Sequence, residues 1–331
     1  MILFKGFGKS LGSYRETNAE VSSRLGITED EIIRKIGIEQ RFIAKEETAG
    51  ELAKRALVEA LSNSGISAEG LDGIIVSTFT ADYLYPNMAS WLARELNVHQ
   101  LFCFDLQANC AGLQMAMVMA KGYLANRPDG TCLALVGLAK QSPFLDPMNK
   151  ETAFLFSDAA SAVIVEKVAG DNAGLLESSF RTNGQNYEIV RLRAGGSKFP
   201  YRPELFENDR NALYYEHAGL GVWTEVMVEL PKLIRESLES VGWSAGEVGL
   251  FLFHQANLRL LEFVLERLRV PNSKTVLNVS EIGNTADASL GTVLYDAERQ
   301  GKLTQPGTKV ILASVGAGFV YVVTPYVVAT N

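Results

Sequence analysis

Cys110, His254 and Asn284 are the residues of this chain whose types and settings could do chemistry. Cys110 stands in DLQANCAGLQMAM, between a strand-like apolar run, LFCFDL, and a helix-like run, AGLQMAMVMA. At a helix N-terminus a thiol meets partial positive charge and free N–H groups, which favour thiolate and lower the usual pKa of about 8.5. A small buried hydrophobe would suit the same place, so nucleophile and inert core thiol both stand open on position alone. His254 follows the apolar run GLFLF and precedes Gln-Ala-Asn257. A histidine at a strand end can serve a thiol as base or hydrogen-bond donor; a surface or satisfied core histidine is the plainer alternative. Asn284, in Gly-Asn-Thr, is either a turn residue or a neutral donor for a developing oxyanion or enolate. Gly316-Ala317-Gly318 is either a tight turn or the source of a backbone N–H that completes an oxyanion hole with the amide of Cys110.

Those residues need elements to hold them, and the chain offers such elements twice. ALVEALSNSGISAEGLDGIIVS (56–77) and IRESLESVGWSAGEVGLFLFH (234–254) each read as an amphipathic helix, a glycine that can end it, a serine that can cap a short turn, and an apolar strand. Gly65 pairs with Gly242 and Ser67 with Ser244, both 177 residues apart, and Gly130-Thr131 repeats that offset against Gly307-Thr308. A duplication accounts for the matches, and the period is far too long for a solenoid. The expected halves are residues 1–168, carrying the cysteine, and 169–331, carrying His254 and Asn284, with a link at 166–174. Helices between apolar strands imply mixed or parallel sheets covered on both faces. In the second half, residues 282–289 take the place of the cysteine loop, between an expected strand TVLNVS and a helix ASLGTVLYDAERQ. A pseudo-twofold would bring the two helix N-termini together and deliver His254 to the same centre.

Bulk properties exclude several classes. With 331 residues, 47% hydrophobic and 21% charged, the chain can bury a large core. A net charge of −7 argues against broad nucleic-acid binding. Three cysteines, Cys103, Cys110 and Cys132, suit a reducing compartment, and MILFKGFGKSLGS reads as no signal peptide, so a cytoplasmic protein is expected. Cys103 and Cys132 lie inside apolar runs and read as core residues. The apolar stretch 310–330 is split by glycines and reads as two buried strands rather than a membrane span. Three histidines and scattered cysteines give no zinc spacing, and neither metal nor resident cofactor is expected. Gly6-Phe-Gly-Lys-Ser10 is no phosphate loop, because Leu3 stands where the first glycine is needed.

Taken together, Asn-Cys110-Ala-Gly, His254-Gln-Ala-Asn-Leu-Arg259, Gly283-Asn-Thr285 with Ala288-Ser289, and Gly316-Ala-Gly-Phe319 resemble the thiolase superfamily. The similarity is greatest to its β-ketoacyl-acyl-carrier-protein synthase III branch and spans the chain. Ile36-Gly-Ile-Glu-Gln-Arg41 and Phe156-Ser-Asp-Ala-Ala160 are weaker matches in the same order. The resemblance implies an α/β fold, a five-layered αβαβα sandwich from two duplicated halves, and a homodimer. It implies that Cys110 takes an acyl group from an acyl-CoA or acyl carrier protein thioester. A malonyl-type extender thioester then loses carbon dioxide while His254 and Asn284 hold its carbonyl, and the enolate attacks the acyl group to give a 3-ketoacyl product. The amides of Cys110 and Ala317 form the implied oxyanion hole. Lys35, Lys150, Asn257 and Arg259 fall where the family contacts the carrier's phosphate or pantetheine, and Tyr85 falls at the acyl pocket, across the dimer interface.

The departures from the pattern carry expectations of their own. Glu31 stands where the family has a tryptophan that stacks on the CoA adenine, and lysine at 35 and 150 replaces the usual arginine, removing bidentate phosphate contact. Asp287 replaces a small residue, and Ser157-Asp-Ala-Ala-Ser161 replaces a glycine-rich run. These changes point to a condensing enzyme of specialised metabolism. An acyltransferase of the same fold, acting on an alcohol or amine, and a non-catalytic partner subunit are the alternatives. Arg34, Lys35, Arg259 and Arg267 form either a carrier-docking patch or an ordinary solvated surface.

Overall fold

The computed structural model describes residues 1–170 and 172–329; Asp171, in the expected link, and Thr330 and Asn331 lie outside the described residues. The first stretch runs β1 (Ile2–Leu11), β2 (Tyr14–Thr17), α1 (Asn18–Leu25), α2 (Glu29–Ile36), β3 (Gln40–Ile43), α3 (Ala49–Ser64), β4 (Gly73–Ser77), α4 (Met88–Glu95), β5 (Phe102–Leu106), α5 (Gly112–Leu124), β6 (Cys132–Ala139) and β7 (Ala159–Lys167). The second runs β8 (Gly174–Leu175), β9 (Ser179–Thr182), β10 (Val190–Leu192), α6 (Pro203–Asn208), β11 (Tyr215–His217), α7 (Gly219–Ser240), β12 (Leu250–Phe253), α8 (Leu258–Leu268), α9 (Val279–Ile282), α10 (Ser289–Arg299), β13 (Lys309–Gly316) and β14 (Val320–Val327).

Two mixed sheets result. The first has the order β1-β7-β6-β4-β5, with β4 parallel to β5 and β6, and the β6–β7 and β7–β1 pairs antiparallel. The second has β12 parallel to β13, β13 antiparallel to β14, and β8 and β9 both antiparallel to β14. Three strands of each sheet match in order and direction: β4, β6, β7 correspond to β12, β13, β14. Within the stretch expected to form two buried strands, Lys309–Gly316 and Val320–Val327 make the β13–β14 hairpin, and among the described residues no helix is long and apolar enough to cross a membrane.

The period-two alternation of the strands sorts their side chains into layers. Ile74 and Val76 of β4, with Ala134 and Val136 of β6, face an outer core under α3 and α4. Ile75, Leu133 and Leu135 face inward to a central core. From the other side Leu250, Leu252, Val310 and Leu312 reach the same central core, while Phe251, Phe253, Ile311 and Ala313 face a third core under α7 and α8. Between the sheets lie α5 and α10, through Leu113, Ala116, Met117, Ala120, Leu290, Val293 and Leu294. The five layers αβαβα follow. Each large aliphatic side chain buried there is worth about 1.5–3 kcal/mol relative to exposure.

Local signals set the element ends. Thr17 with Glu20, Thr28 with Glu31 and Thr48 with Glu51 form capping boxes at α1, α2 and α3. Gly65 ends α3 with φ 70°, a conformation that favours glycine. Gly6 and Gly8, the false phosphate loop, lie in β1 where α3 crosses. A Cβ on Gly8 would stand 1.9 Å from Ala56 O. One expected element is different. TVLNVS does not form a strand: Thr275 makes a single parallel bridge to Phe251, and Val279 already begins α9.

Candidate active site

Strand β12 ends at Phe253, and the N–H of His254 continues its ladder to Ala313 O at 2.9 Å. The next residue, Gln255, fixes the loop. Its N–H donates to Ser289 Oγ at 2.8 Å, its Nε2 donates to Val276 O at 2.6 Å, and its Oε1 accepts from Asn278 N and Val279 N at 2.9 and 3.0 Å. Those last two bonds turn the chain away from the β12 edge, which is why TVLNVS fails as a strand. Asn284 follows α9 and is nearly fully buried. Its N–H donates to Leu155 O at 3.0 Å, and its carbonyl accepts from Ser157 N at 2.9 Å and Gln141 Nε2 at 3.2 Å. Its Oδ1 accepts from Ala286 N at 2.9 Å, which orients the amide and leaves Nδ2 as the donor end.

Cys110 occupies a single turn of 3-10 helix, Asn109–Ala111, immediately before α5. Asn109 Nδ2 donates to Ala317 O at 2.8 Å. Gly316 packs so tightly on this turn that a Cβ there would lie 2.4 Å from Ala108 O and 3.1 Å from Ala111 N. On the other side of the turn, a Cβ on Gly112 would lie 1.7 Å from Ser77 Oγ and 2.6 Å from Asp287 Oδ1. The loops of Cys110, His254, Asn284 and Ala317 therefore meet at the N-termini of α5 and α10.

The electrostatics differ from expectation at the cysteine. Cys110 is half-buried, and its thiol is pushed well above the ordinary range, first by desolvation and then by the Asp287 carboxyl. Its own backbone N–H, the one opposing influence, is too weak to reverse this. The lowered pKa expected from the helix N-terminus is thus overturned by burial and a neighbouring acid. Burial alone brings His254 down to about 4, so the imidazole is neutral near pH 7, and its Nδ1 has no hydrogen-bond partner among the described residues. Desolvation raises Asp287 to about 8, opposed by a hydrogen bond from Ser77.

The expected carrier-binding residues gather around the end of α2. Lys35 Nζ donates to Lys150 O at 3.2 Å and pairs with Glu151 at 2.8 Å. Arg259 donates to Ile33 O at 3.0 Å and pairs with Glu262 at 2.9 Å. Asn257 Oδ1 caps α8 by accepting from Leu260 N at 2.8 Å, so that oxygen is already committed. Glu31 is held in the α2 capping box, with Thr28 N–H donating to its carboxylate at 2.6 Å. Tyr85 does not join the site of its own chain: with Tyr83 and Leu84 it stands out from the surface, 86% exposed. Met88, which opens α4 just after this loop, packs in the outer core near α3.

Sequence reasoning missed three contributors. Tyr215 is buried near Cys110 and Asp287, its hydroxyl unpartnered among the described residues and its pKa raised by burial and then by those groups. Gln141 holds the Asn284 carbonyl. Arg41, wholly buried, binds Asn18 Oδ1, makes a loose ion pair with Glu16 at 3.8 Å, and lies against Gly283; burial brings it to about 10. Only Arg41 carried a signal, its place in the Gly-Ile-Glu-Gln-Arg run. No group of three or more potential metal ligands occurs among the described residues.

Comparison with known proteins places this geometry in context. Residues 104–184 match the family model for 3-oxoacyl-[acyl-carrier-protein (ACP)] synthase III, and residues 238–325 match the model for its C-terminal region. The chain is 31% identical to a beta-ketoacyl-[acyl-carrier-protein] synthase III of Phocaeicola vulgatus, covering 96% of this chain and 93% of that one. It is 32% identical to the protein of the same description from Oleidesulfovibrio alaskensis, covering 96% of each. The crystal structure of a 3-oxoacyl-(acyl carrier protein) synthase III from Pseudomonas aeruginosa superposes with a TM-score of 0.88 at 27% identity, over 99% of this chain and 98% of that one.

Proposed function

Because the chain belongs to the 3-oxoacyl-[acyl-carrier-protein] synthase III family of thiolase-like condensing enzymes, we propose that it forms a carbon–carbon bond in two stages on Cys110. An acyl-CoA or acyl carrier protein thioester first passes its acyl group to Cys110. A malonyl-type thioester then enters, and its carbonyl oxygen is held by His254 and Asn284 while carbon dioxide leaves. The enolate attacks the acyl-Cys110 carbonyl, whose oxyanion is held by the amides of Cys110 and Ala317.

The observation that carries this reading is the neutrality of the donor pair. A buried imidazole at about 4 and an amide whose oxygen is already anchored offer donors to developing negative charge without a resident charge of their own. Residues 1–168 serve as the half that carries the nucleophile, and 169–331 as the half that carries the donors. The family's substrates direct the acyl carrier to the Lys35, Lys150, Asn257 and Arg259 face, although two of the cations there are already paired. A homodimer through β5 is supported by its place at the sheet edge, by the exposed ring of Phe102 on that strand, and by the projecting Tyr85 loop, which would line a partner's acyl pocket. Three free cysteines support a cytoplasmic setting. A role in specialised metabolism is supported by Glu31, whose carboxylate offers the adenine no aromatic face.

Intact-protein mass after exposure to a panel of acyl-CoAs and acyl carrier proteins, then to malonyl carrier, tests the reading. The expected result is an adduct absent from Cys110→Ala and discharged with release of carbon dioxide. An adduct that malonyl carrier leaves untouched would indicate transfer to an alcohol or amine instead, and no adduct from any donor would indicate a partner subunit.

A further inference from the structure

The two-stranded ribbon β10–β11 packs over the catalytic loops, and one of its faces carries two polar atoms with nothing to bind. Leu192 pairs with Tyr215 and Val190 with His217. Tyr215 and His217, two residues apart, share one face of the ribbon, and Glu216 lies on the other. There Glu216 takes Arg191 at 2.7 Å and also binds Arg193, which reaches Asp209 at 2.6 Å. The cations beside the ribbon are spent on that outer face.

The inner face rests on three phenylalanine rings, each tied to the site. The Tyr215 ring lies 5.7 Å from that of Phe156, edge to face, 6.0 Å from Phe144 and 6.3 Å from Phe79. His217 meets Phe156 at 6.3 Å, again edge to face. Phe156 makes a backbone bridge to Asn284. Phe144 follows Gln141, which holds the Asn284 carbonyl, and Phe79 follows Ser77, which lies against Gly112 at the start of α5. These short connections set the ribbon over the loops of Asn284 and Cys110.

Within this aromatic wall Tyr215 is only 9% exposed, and neither its hydroxyl nor Nδ1 of His217 has a hydrogen-bond partner among the described residues. A buried tyrosine hydroxyl ordinarily finds a partner, and one without is costly to the fold. Two such atoms on one face, among apolar rings beside a reactive centre, suit a ligand with a polar group of its own. Charge narrows the class. The titrating groups that reach Tyr215 are Cys110, Asp287 and Asp158, none of them a cation. Those that reach His217 are Glu151 and Lys35, already paired with each other at 2.8 Å. Burial lowers the His217 pKa, so the imidazole is neutral near pH 7. A carboxylate would find no free cation on this face among the described residues, whereas a hydroxyl or ketone oxygen would find a neutral donor.

We propose that Tyr215 and His217 select the acyl group: the enzyme takes acyl thioesters whose chain bears a hydroxyl or keto oxygen, bound by Tyr215 Oη and His217 Nδ1, in preference to a plain alkyl chain of the same length. A plain chain leaves both polar atoms dry and unbonded, a mismatch that a site built for hydrogen bonding penalises. This selection rests on the reading of Cys110 as the acyl acceptor.

The test is kcat/KM for loading of Cys110, followed by intact-protein mass, from hexanoyl-, 3-hydroxyhexanoyl-, 5-oxohexanoyl- and adipoyl-CoA and from the same groups on acyl carrier protein. One of the two neutral oxygenated chains should load about tenfold faster than hexanoyl, and adipoyl should load slowest. Tyr215→Phe removes the hydroxyl alone. It should erase that preference, and its thermal midpoint should equal or exceed that of the wild type, because no internal hydrogen bond is lost. His217→Leu should narrow the same preference. Equal loading of all chains, fastest loading of adipoyl, a preference that survives Tyr215→Phe, or a lower thermal midpoint in that variant would overturn the proposal and leave the ketosynthase reading standing. No loading from any donor would sink both. A preference that Tyr215→Phe erases, on an adduct that malonyl carrier never discharges, would uphold the selection and sink the ketosynthase reading alone.

Discussion

A neutral, buried His254 has a thermodynamic signature that can be measured without substrate. An unfolded histidine titrates near 6.5, whereas His254 is held to about 4 by desolvation alone. Between those values the unfolded chain binds a proton that the folded chain refuses, so stability falls as pH falls. The contribution is fully present above about pH 6.5. By pH 4.5 the gap corresponds to a loss of about 2–3 kcal/mol. The assay is urea denaturation at pH 7, 6, 5 and 4.5 for wild type and His254→Asn. Other groups that titrate in this range, Asp287 among them, act in both proteins and cancel in the difference. The wild type should lose about 2–3 kcal/mol more than the variant between pH 7 and 4.5. Parallel curves would mean that His254 accepts a proton while folded, and the argument for a neutral donor pair would fail with them.

Other perturbations separate the parts of the site. Asn284→Ala should leave acyl loading of Cys110 intact and slow decarboxylative condensation by about 100- to 1000-fold, read as carbon dioxide released from malonyl carrier. Gly316→Ala places a methyl group where Ala108 O already sits, forcing the Ala317 turn off the cysteine loop; single-turnover loading should fall about 100-fold. Glu31→Trp removes half of the α2 capping box but adds a stacking face; KM for acyl-CoA loading should drop about fivefold while the thermal midpoint falls slightly.

Much of this arrangement was legible because its residues obey local rules. The alternation in GLFLF places β12 and thereby the backbone of His254, and paired glycines at a constant offset announce the repeated architecture. The capping boxes are equally local, since Thr28 and Glu31 stand in the spacing such a box requires. What escaped notice depends on partners distant in sequence. TVLNVS alternates like a strand, but Gln255 takes the amides of Asn278 and Val279 and bends the chain into α9. The helix after Cys110 argued for an acidic thiol, whereas burial, and after it the Asp287 carboxyl brought in from the other half, push the thiol the other way. Tyr215 gave no signal, because its importance lies only in what folds around it.

The unequal sheet edges limit how copies of this chain can add together. At β12, Thr275 bridges the end strand and Gln255 satisfies the amides that would otherwise extend the ladder. At β5, no strand covers the outer edge among the described residues. A contact made through β5 with the same edge of another copy is self-complementary, so the first partner consumes it. An assembly built on that edge alone would close at two members rather than run on into a filament, and at β12 the amides of Asn278 and Val279, already bonded to Gln255, offer a further strand nothing to pair with.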